Sequence, residues 1–285
     1  MLTSSPQKIN SIVSSIGELP ASPGIVSEVM RLTSNINSSV EELERLIRND
    51  QVLTAKVLKF SNSSFYGRFR QVTELKEAIV ILGFYTIRSL VLASSVRFLY
   101  RGKRGGKIES VLWKHSLSTA MCCRLLAQKL GHPKKSEAFI CGILHDIGKL
   151  ILFHKLPNQY KEVLKEALNS KEEIYLIENE LLGYNHVDVG AALLDKWNFP
   201  KDFIEAISNH HSWEEREENT AVPVSWIIKY SNLASTLLGF NVHSNKYITE
   251  QWQETLERME FTEDKATELN QELYEMFMEE RKLYE

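Results

Sequence analysis

A chain of 285 residues with 43% hydrophobic and 25% charged residues can bury a sizeable core, as one large or two modest domains. Its formal net charge of −3 and pI near 6.3 provide no general basic field, which argues against nonspecific nucleic-acid binding. Cys122, Cys123 and Cys141 lie in apolar helical sequence without C-x-x-C spacing, so they are expected to be reduced core thiols in a cytoplasmic protein rather than a disulfide framework. The opening MLTSSPQKIN lacks a charged start followed by an apolar run, so no secretory leader is expected.

Helical periodicity dominates from the start. Val40, Leu43, Leu46 and Ile47 recur at helical spacing, and Ser38 with Glu41 three residues on predicts a capping box ahead of them. Leu53, Val57, Leu58 and Phe60 form a second apolar face, which the polar segment from Ser61 to Gly67 stops. Ala78, Ile79 and Leu82 begin a third, which continues past Gly83 through Ile87, Leu90 and Val91. The stretch from Ala78 to Val96 is the most apolar of the chain, but Gly83, Arg88, Ser89, Ser94 and Ser95 interrupt it, predicting buried helices and no membrane span. The first hundred residues thus read as a bundle of about five short helices.

The run RGKRGGK, from Arg101 to Lys107, reads as a solvated connection and a subdomain boundary; a basic phosphate-binding loop is the sharper alternative. Helices are predicted over about Ile108 to Leu130, closed by Gly131 and Pro133, and then over Ser136 to Phe153, Gln159 to Asn169, Lys171 to Leu182, Val187 to Trp197 and Lys201 to His211. From Val222 come one apolar helix and an acidic amphipathic pair. The reading is all-α in three parts: an N-terminal helical bundle over 1–106 packed on a helical core over 107–215, and a C-terminal helical extension over 216–285.

Five of the eight histidines and one aspartate form a spaced series: His115, His145-Asp146, His186 and His210-His211. Neutral imidazole and carboxylate are ligands for divalent iron, manganese and zinc. Read as one helix, Ile140 to Leu152 places Ile140, Ile143, Leu144, Ile147, Leu150 and Ile151 on one side, and His145, Asp146 and Lys149 on the other beside Ala138 and Gly142. The two small residues are expected to leave room for an ion. A lone histidine in the apolar helix around His115 would ordinarily be a hydrogen-bonded core residue, but several imidazoles buried together need a shared cation. His132, His154 and His243 fall outside the series and read as surface residues.

The same residues resemble the HD-domain metal-dependent phosphohydrolases, whose name-giving doublet His145-Asp146 matches. The segments ELPASPGIVSEVMRL, LIRND with LTAKVLKFSNSSFYG, EAIVILGFYTIRSLVLAS, GYNHVDVGAALLDKWNFP and AISNHH resemble one branch of that group, the HDOD domain, over roughly Gly17 to Ser212. The resemblance implies an HD-like helical core, a bacterial cytoplasmic protein and a role in signal transduction. It also implies a divalent metal (Fe, Mn, Zn or Mg) held by His115, His145, Asp146, His186, His210 and His211. Catalytic HD enzymes complete their ligand set with an aspartate in a later helix; here IIKYSNLAS places Ser231, or Asn232 in the adjacent register, at that point. Neither is a carboxylate, so His115, His145 and Asp146 lack a fourth ligand, Asp146, His186, His210 and His211 can still enclose an ion, and one ion fits better than two. SWEEREENTAVP stands where cyclic di-GMP hydrolases of the group carry Gly-Tyr-Pro, which disfavours that activity, and Gln51 follows Asp50 where relatives often have proline.

Two readings follow. In the first, the protein is a noncatalytic signalling module that binds a partner protein in trans, and a small-molecule or nucleotide ligand is compatible with it. In the second, it is a metal-dependent phosphohydrolase acting on a phosphoester or nucleotide, with Asp146 and Lys149 as catalytic residues and Lys149 balancing phosphate charge. A structural remnant that merely packs is the bland alternative, and neither a nucleic-acid nor a membrane partner is expected.

Overall fold

The computed structural model describes residues 5–16, 23–62, 71–100, 106–197, 199–216, 220–241 and 248–284. Every regular element among them is a helix: α1 (Ser5–Ser14), α2 (Pro23–Ser34), α3 (Val40–Arg48), α4 (Gln51–Ser61), α5 (Leu75–Leu99), α6 (Lys107–Lys129), α7 (Lys135–Leu144), α8 (Ile147–Lys155), α9 (Pro157–Asn169), α10 (Ile174–Leu182), α11 (His186–Lys196), α12 (Lys201–Ser208), α13 (Val224–Leu237), α14 (Ile248–Met259) and α15 (Glu263–Tyr284). The all-α reading therefore holds. Residues 63–67 of the polar stop, 101–105 of the basic run, and His243 lie outside the described residues.

The helices fall into two compact units, one of Met1–Gly17 with Tyr100–Tyr274 and one of Glu18–Leu99 with Glu275–Glu285. This differs from the three-part division read in the sequence. Helix α1 packs on α11 instead of joining the bundle, because Lys196 of α11 donates to the carbonyls of Val13 (3.0 Å) and Ile16 (2.5 Å) at its C-terminal end. A cation there also complements the helix dipole. Helices α13 and α14 are no appendage either. The first packs along α6, α7 and α12, and the second covers α13.

In the smaller unit α5 packs against α2, α3 and α4. Leu75–Arg97 is long and apolar enough to cross a membrane, but more than half of it is buried and it kinks at Gly83 (φ 75°), as a core helix does. The cap of α3 is one residue later than expected: Ser39 accepts from the Glu42 amide and Glu42 returns a bond to the Ser39 amide, so the box is Ser39 with Glu42.

In the larger unit α6 is the central pillar, buried almost continuously from Leu112 to Ala127 and flanked by α7 and α13. The expected helix from Ser136 to Phe153 is two helices, α7 and α8, which break at His145-Asp146. Ala138 and Gly142 do not open space for an ion. Ala138 is fully buried, and a Cβ on Gly142 would lie 2.7 Å from the Ala120 Cα, so the small residues let α6 and α7 approach. His132 is buried, not superficial: its Nε2 lies 3.0 Å from the Val222 carbonyl and its Nδ1 accepts from the Lys134 amide at 3.0 Å. His154 is partly exposed and 3.4 Å from Glu109.

Candidate metal centre

All five histidines of the series, with Asp146 and Lys149, converge in the larger unit. Helix α6 brings His115 inward; the α7–α8 junction supplies His145 and Asp146; α11 begins at His186; and the turn after α12 carries His210 and His211. The junction explains Asp146. It occupies the N-cap position of α8, where an aspartate ordinarily accepts from the backbone for about 1 kcal/mol, yet its carboxylate makes no cap bond. The acid is turned to the imidazoles instead, at 1% exposure.

Each ring is oriented by an oxygen behind it. His115 Nδ1 lies 2.6 Å from the Phe240 carbonyl, His145 Nδ1 2.8 Å from the Gly142 carbonyl and His210 Nδ1 2.6 Å from the Ile207 carbonyl. His186 Nδ1 lies 2.6 Å from Glu178 Oε2, and His211 Nδ1 2.8 Å from Glu173 Oε2. Carbonyl and carboxylate oxygens only accept, so each Nδ1 carries the hydrogen and each Nε2 keeps its lone pair. Those five lone pairs face inward. His115 and His145 Nε2 stand 3.4 and 3.3 Å from Asp146 Oδ2, and His186 and His210 Nε2 stand 3.3 and 3.9 Å from Oδ1.

Such a set of acceptors is not self-sufficient. The Nε2 atoms of His186 and His211 are 3.2 Å apart, two lone pairs opposed unless a cation lies between them. His145 Nε2, His210 Nε2 and Asp146 Oδ1 are buried without a hydrogen-bond partner. Orphaned buried acceptors are costly, and one proton cannot satisfy this many. The ligand atoms form two triads, His186, His210 and His211, and His115, His145 and Asp146, each with its atoms within 4.8 Å of one another. The donor chemistry fits a divalent transition metal.

The electrostatics keep the set in ligating form. Burial pushes His115 down to about 4 against the pull of the Asp146 carboxylate. Burial and neighbouring imidazoles hold His210 and His211 well below the ordinary range. Burial opposes ionisation of Asp146, but the His145 imidazole and the Lys149 ammonium beside it prevail and its carboxyl lies well below the usual value. Lys149 Nζ donates to Asp146 Oδ2 at 2.7 Å.

Three supporting residues escaped the sequence reading. Glu178, fully buried, accepts from the His186 amide (2.7 Å), the His186 ring and the Tyr160 hydroxyl (2.7 Å); Glu173 backs His211. The legible clue was on α10, where Glu178 shares a buried stripe with Ile174 and Ile177. An acid at i+4 on an apolar face requires a partner. Gly148 is equally specific, since a Cβ there would stand 1.9 Å from the His186 carbonyl oxygen. Helix α8 reaches the start of α11 only because that position is glycine.

A cavity of about 40 Å³ adjoins the centre, lined among others by His115, Lys149, His211, Asn232 and Gln251. Asn232 faces the cavity, whereas Ser231 is fully buried beside Cys122 and Cys123.

Comparison with known proteins identifies the family and the fold. The HDOD domain profile matches residues 19–213. An uncharacterized protein of Treponema pallidum (strain Nichols) is 23% identical over 235 residues, 80% of this chain and 44% of its own length. Ribonuclease Y of Mycoplasmoides gallisepticum is 26% identical over 212 residues, 71% of this chain and 33% of its own. The chain thus spans less than half the length of these relatives. The crystal structure of an HDOD domain protein with unknown function from Geobacter sulfurreducens superposes with a TM-score of 0.71 at 22% identity, covering 98% of each chain. A phosphohydrolase candidate from Shewanella amazonensis SB2B gives 0.71 at 24% identity, covering 97% of this chain and 96% of its own. At these identities the structures establish the fold alone.

Proposed function

The chain belongs to the HDOD family, and from that premise we propose that it is a bacterial cytoplasmic signalling module whose core holds a divalent metal ion and which acts through a partner protein in trans. The observation that carries the metal is the convergence of five Nδ1-anchored imidazoles, four around Asp146 and His211 against His186, with three buried acceptors orphaned. His115, His145, Asp146, His186, His210 and His211 are the residues that would hold it. An ion bound there supplies Lewis acidity toward a phosphoryl oxygen or a water molecule.

Two observations support a regulatory role over turnover. Asn232, one of the two positions at which the resemblance puts the acid of the catalytic enzymes, lines the cavity, and its amide carries no charge. The cavity of about 40 Å³ admits a few waters or a small anion, whereas pockets for drug-sized ligands run to roughly 300 Å³ or more.

The second reading, a phosphohydrolase, is favoured by Lys149, which lines that cavity while bonded to Asp146. In it the Lys149 ammonium neutralises phosphate charge and the Asn232 amide donates to a phosphoryl oxygen. The likeness to a ribonuclease agrees with a phosphodiester as substrate. A panel of phosphomonoesters, phosphodiesters and short RNAs, assayed on protein loaded with manganese or iron, separates the two. The signalling reading expects no turnover above that of Asp146→Ala; turnover that Asp146→Ala abolishes would replace it with the enzymatic one.

A further inference from the structure

The two triads around Asp146 are unequal, and the inequality rests on charge. Behind His115 and His145 stand backbone carbonyls, of Phe240 and Gly142. Behind His186 and His211 stand carboxylates, Glu178 and Glu173. A carboxylate behind an imidazole raises its basicity as a ligand and adds negative charge near the ion. Asp146 divides in the same sense. Its Oδ2, shared with His115 and His145, already accepts from the Lys149 ammonium at 2.7 Å. Its Oδ1, toward His186 and His210, has no hydrogen-bond partner.

Building on the metal-binding reading above, we infer that the centre takes one divalent ion, on His186, His210, His211 and Asp146 Oδ1, and that the Lys149 ammonium stands in for a second ion beside His115 and His145. Lys149 is 4% exposed, so its charge needs a buried counter-ion, which Asp146 Oδ2 provides. A divalent ion on His115, His145 and Oδ2 would share that oxygen with an ammonium, and the groups that back those two rings, the Phe240 and Gly142 carbonyls, are neutral, as is Asn232. The other position, with Glu173, Glu178 and Asp146 Oδ1, keeps the excess of negative charge even though Lys229 and Lys149 both act on Glu173 and Lys229 donates to the His211 carbonyl at 2.7 Å. Lys149 thereby sets the ion count without being a ligand.

The test uses the full chain, stripped with chelator and titrated with Mn²⁺ alone, counted by calorimetry and elemental analysis and located by anomalous diffraction. One ion per chain on the His186 triad is expected. His210→Ala should weaken binding at least about tenfold, and His115→Ala should leave it within about threefold. Lys149→Met, alone or with Asn232→Asp, should raise the count from one to two. Two ions in the unaltered protein, or one seated on His115 and His145, would overturn the inference while leaving the metal reading intact. A count that stays at one in both Lys149 variants removes Lys149 from the explanation. No ion at all removes the metal reading and this inference together. Because the unaltered chain reports count and position by itself, a misfolded variant does not rescue the idea.

Discussion

Glu178 illustrates how a residue can govern a site without touching it. It receives three hydrogen bonds, from Tyr160, the His186 amide and the His186 ring, and so fixes where the His186 lone pair points. Glu178→Gln keeps the volume but removes the charge and one acceptor. It is expected to weaken metal binding about 10- to 100-fold and to lower the stability of the metal-free chain by about 1–3 kcal/mol, measured by competition with a chromophoric chelator and by urea unfolding. His115 makes a prediction in pH. Its folded value lies near 4 against 6.5 for the ordinary group, so the unfolded chain binds the extra proton first. The stability tied to its neutral form is intact above about 6.5 and is lost as pH falls from there toward 4, and Asp146 acts in the same direction at lower pH. Urea midpoints of metal-free protein at pH 7, 5.5 and 4.5 should fall in that order; a midpoint that rises on acidification contradicts the assignment. The histidine series was legible because imidazole spacing has few innocent explanations. Glu173 and Glu178 were not, because a glutamate in a helix is commonplace and only the stripe it occupies distinguishes it.

Helix boundaries show where the sequence stops informing. The periodicity of Ile140 to Leu152 is unbroken, with no proline and two glycines, Gly142 and Gly148, inside, so a single helix is the reasonable expectation. The chain breaks instead at His145-Asp146, and that break frees Asp146 from capping α8. Tertiary demand at the centre overrides local pattern, as functional sites often do. By contrast α10 to α12 lie within three residues of their expected limits, because Gly183, Asn185 and Pro200 punctuate them in sequence. The close approach of α8 and α11 is testable. Gly148→Ala places a methyl group where the His186 carbonyl now sits, so the helices must part and His186 must move. A stability loss of about 1–3 kcal/mol, with at least tenfold weaker metal binding, is expected by urea unfolding and calorimetric titration; an alanine variant with unchanged affinity would show that this contact does not position the ligand.

At the scale of the molecule, the all-α class followed from periodicity, while the grouping of helices did not. Nothing in MLTSSPQKIN announces that α1 belongs with residues a hundred positions on, since the lysines that hold it, Lys155 and Lys196, are unremarkable helix cations in sequence. The same grouping predicts where an ion acts. All six proposed ligands lie in the unit of Met1–Gly17 and Tyr100–Tyr274. Metal should therefore slow amide exchange in α6 to α8 and α10 to α12 more than in α2 to α4. Exchange mass spectrometry with and without Mn²⁺ checks this, and protection confined to α2 to α4 would place the ion elsewhere.

The claim beneath all of this is that bare imidazole nitrogens converge on a metal. X-ray absorption at the edge of the metal retained by the purified chain reads those ligands directly. The account predicts about three imidazole nitrogens near 2.0–2.2 Å, with the outer-shell scattering of histidine rings, and loss of that pattern in His210→Ala. A shell of oxygen alone without imidazole scattering, or a spectrum unchanged in that variant, would contradict it.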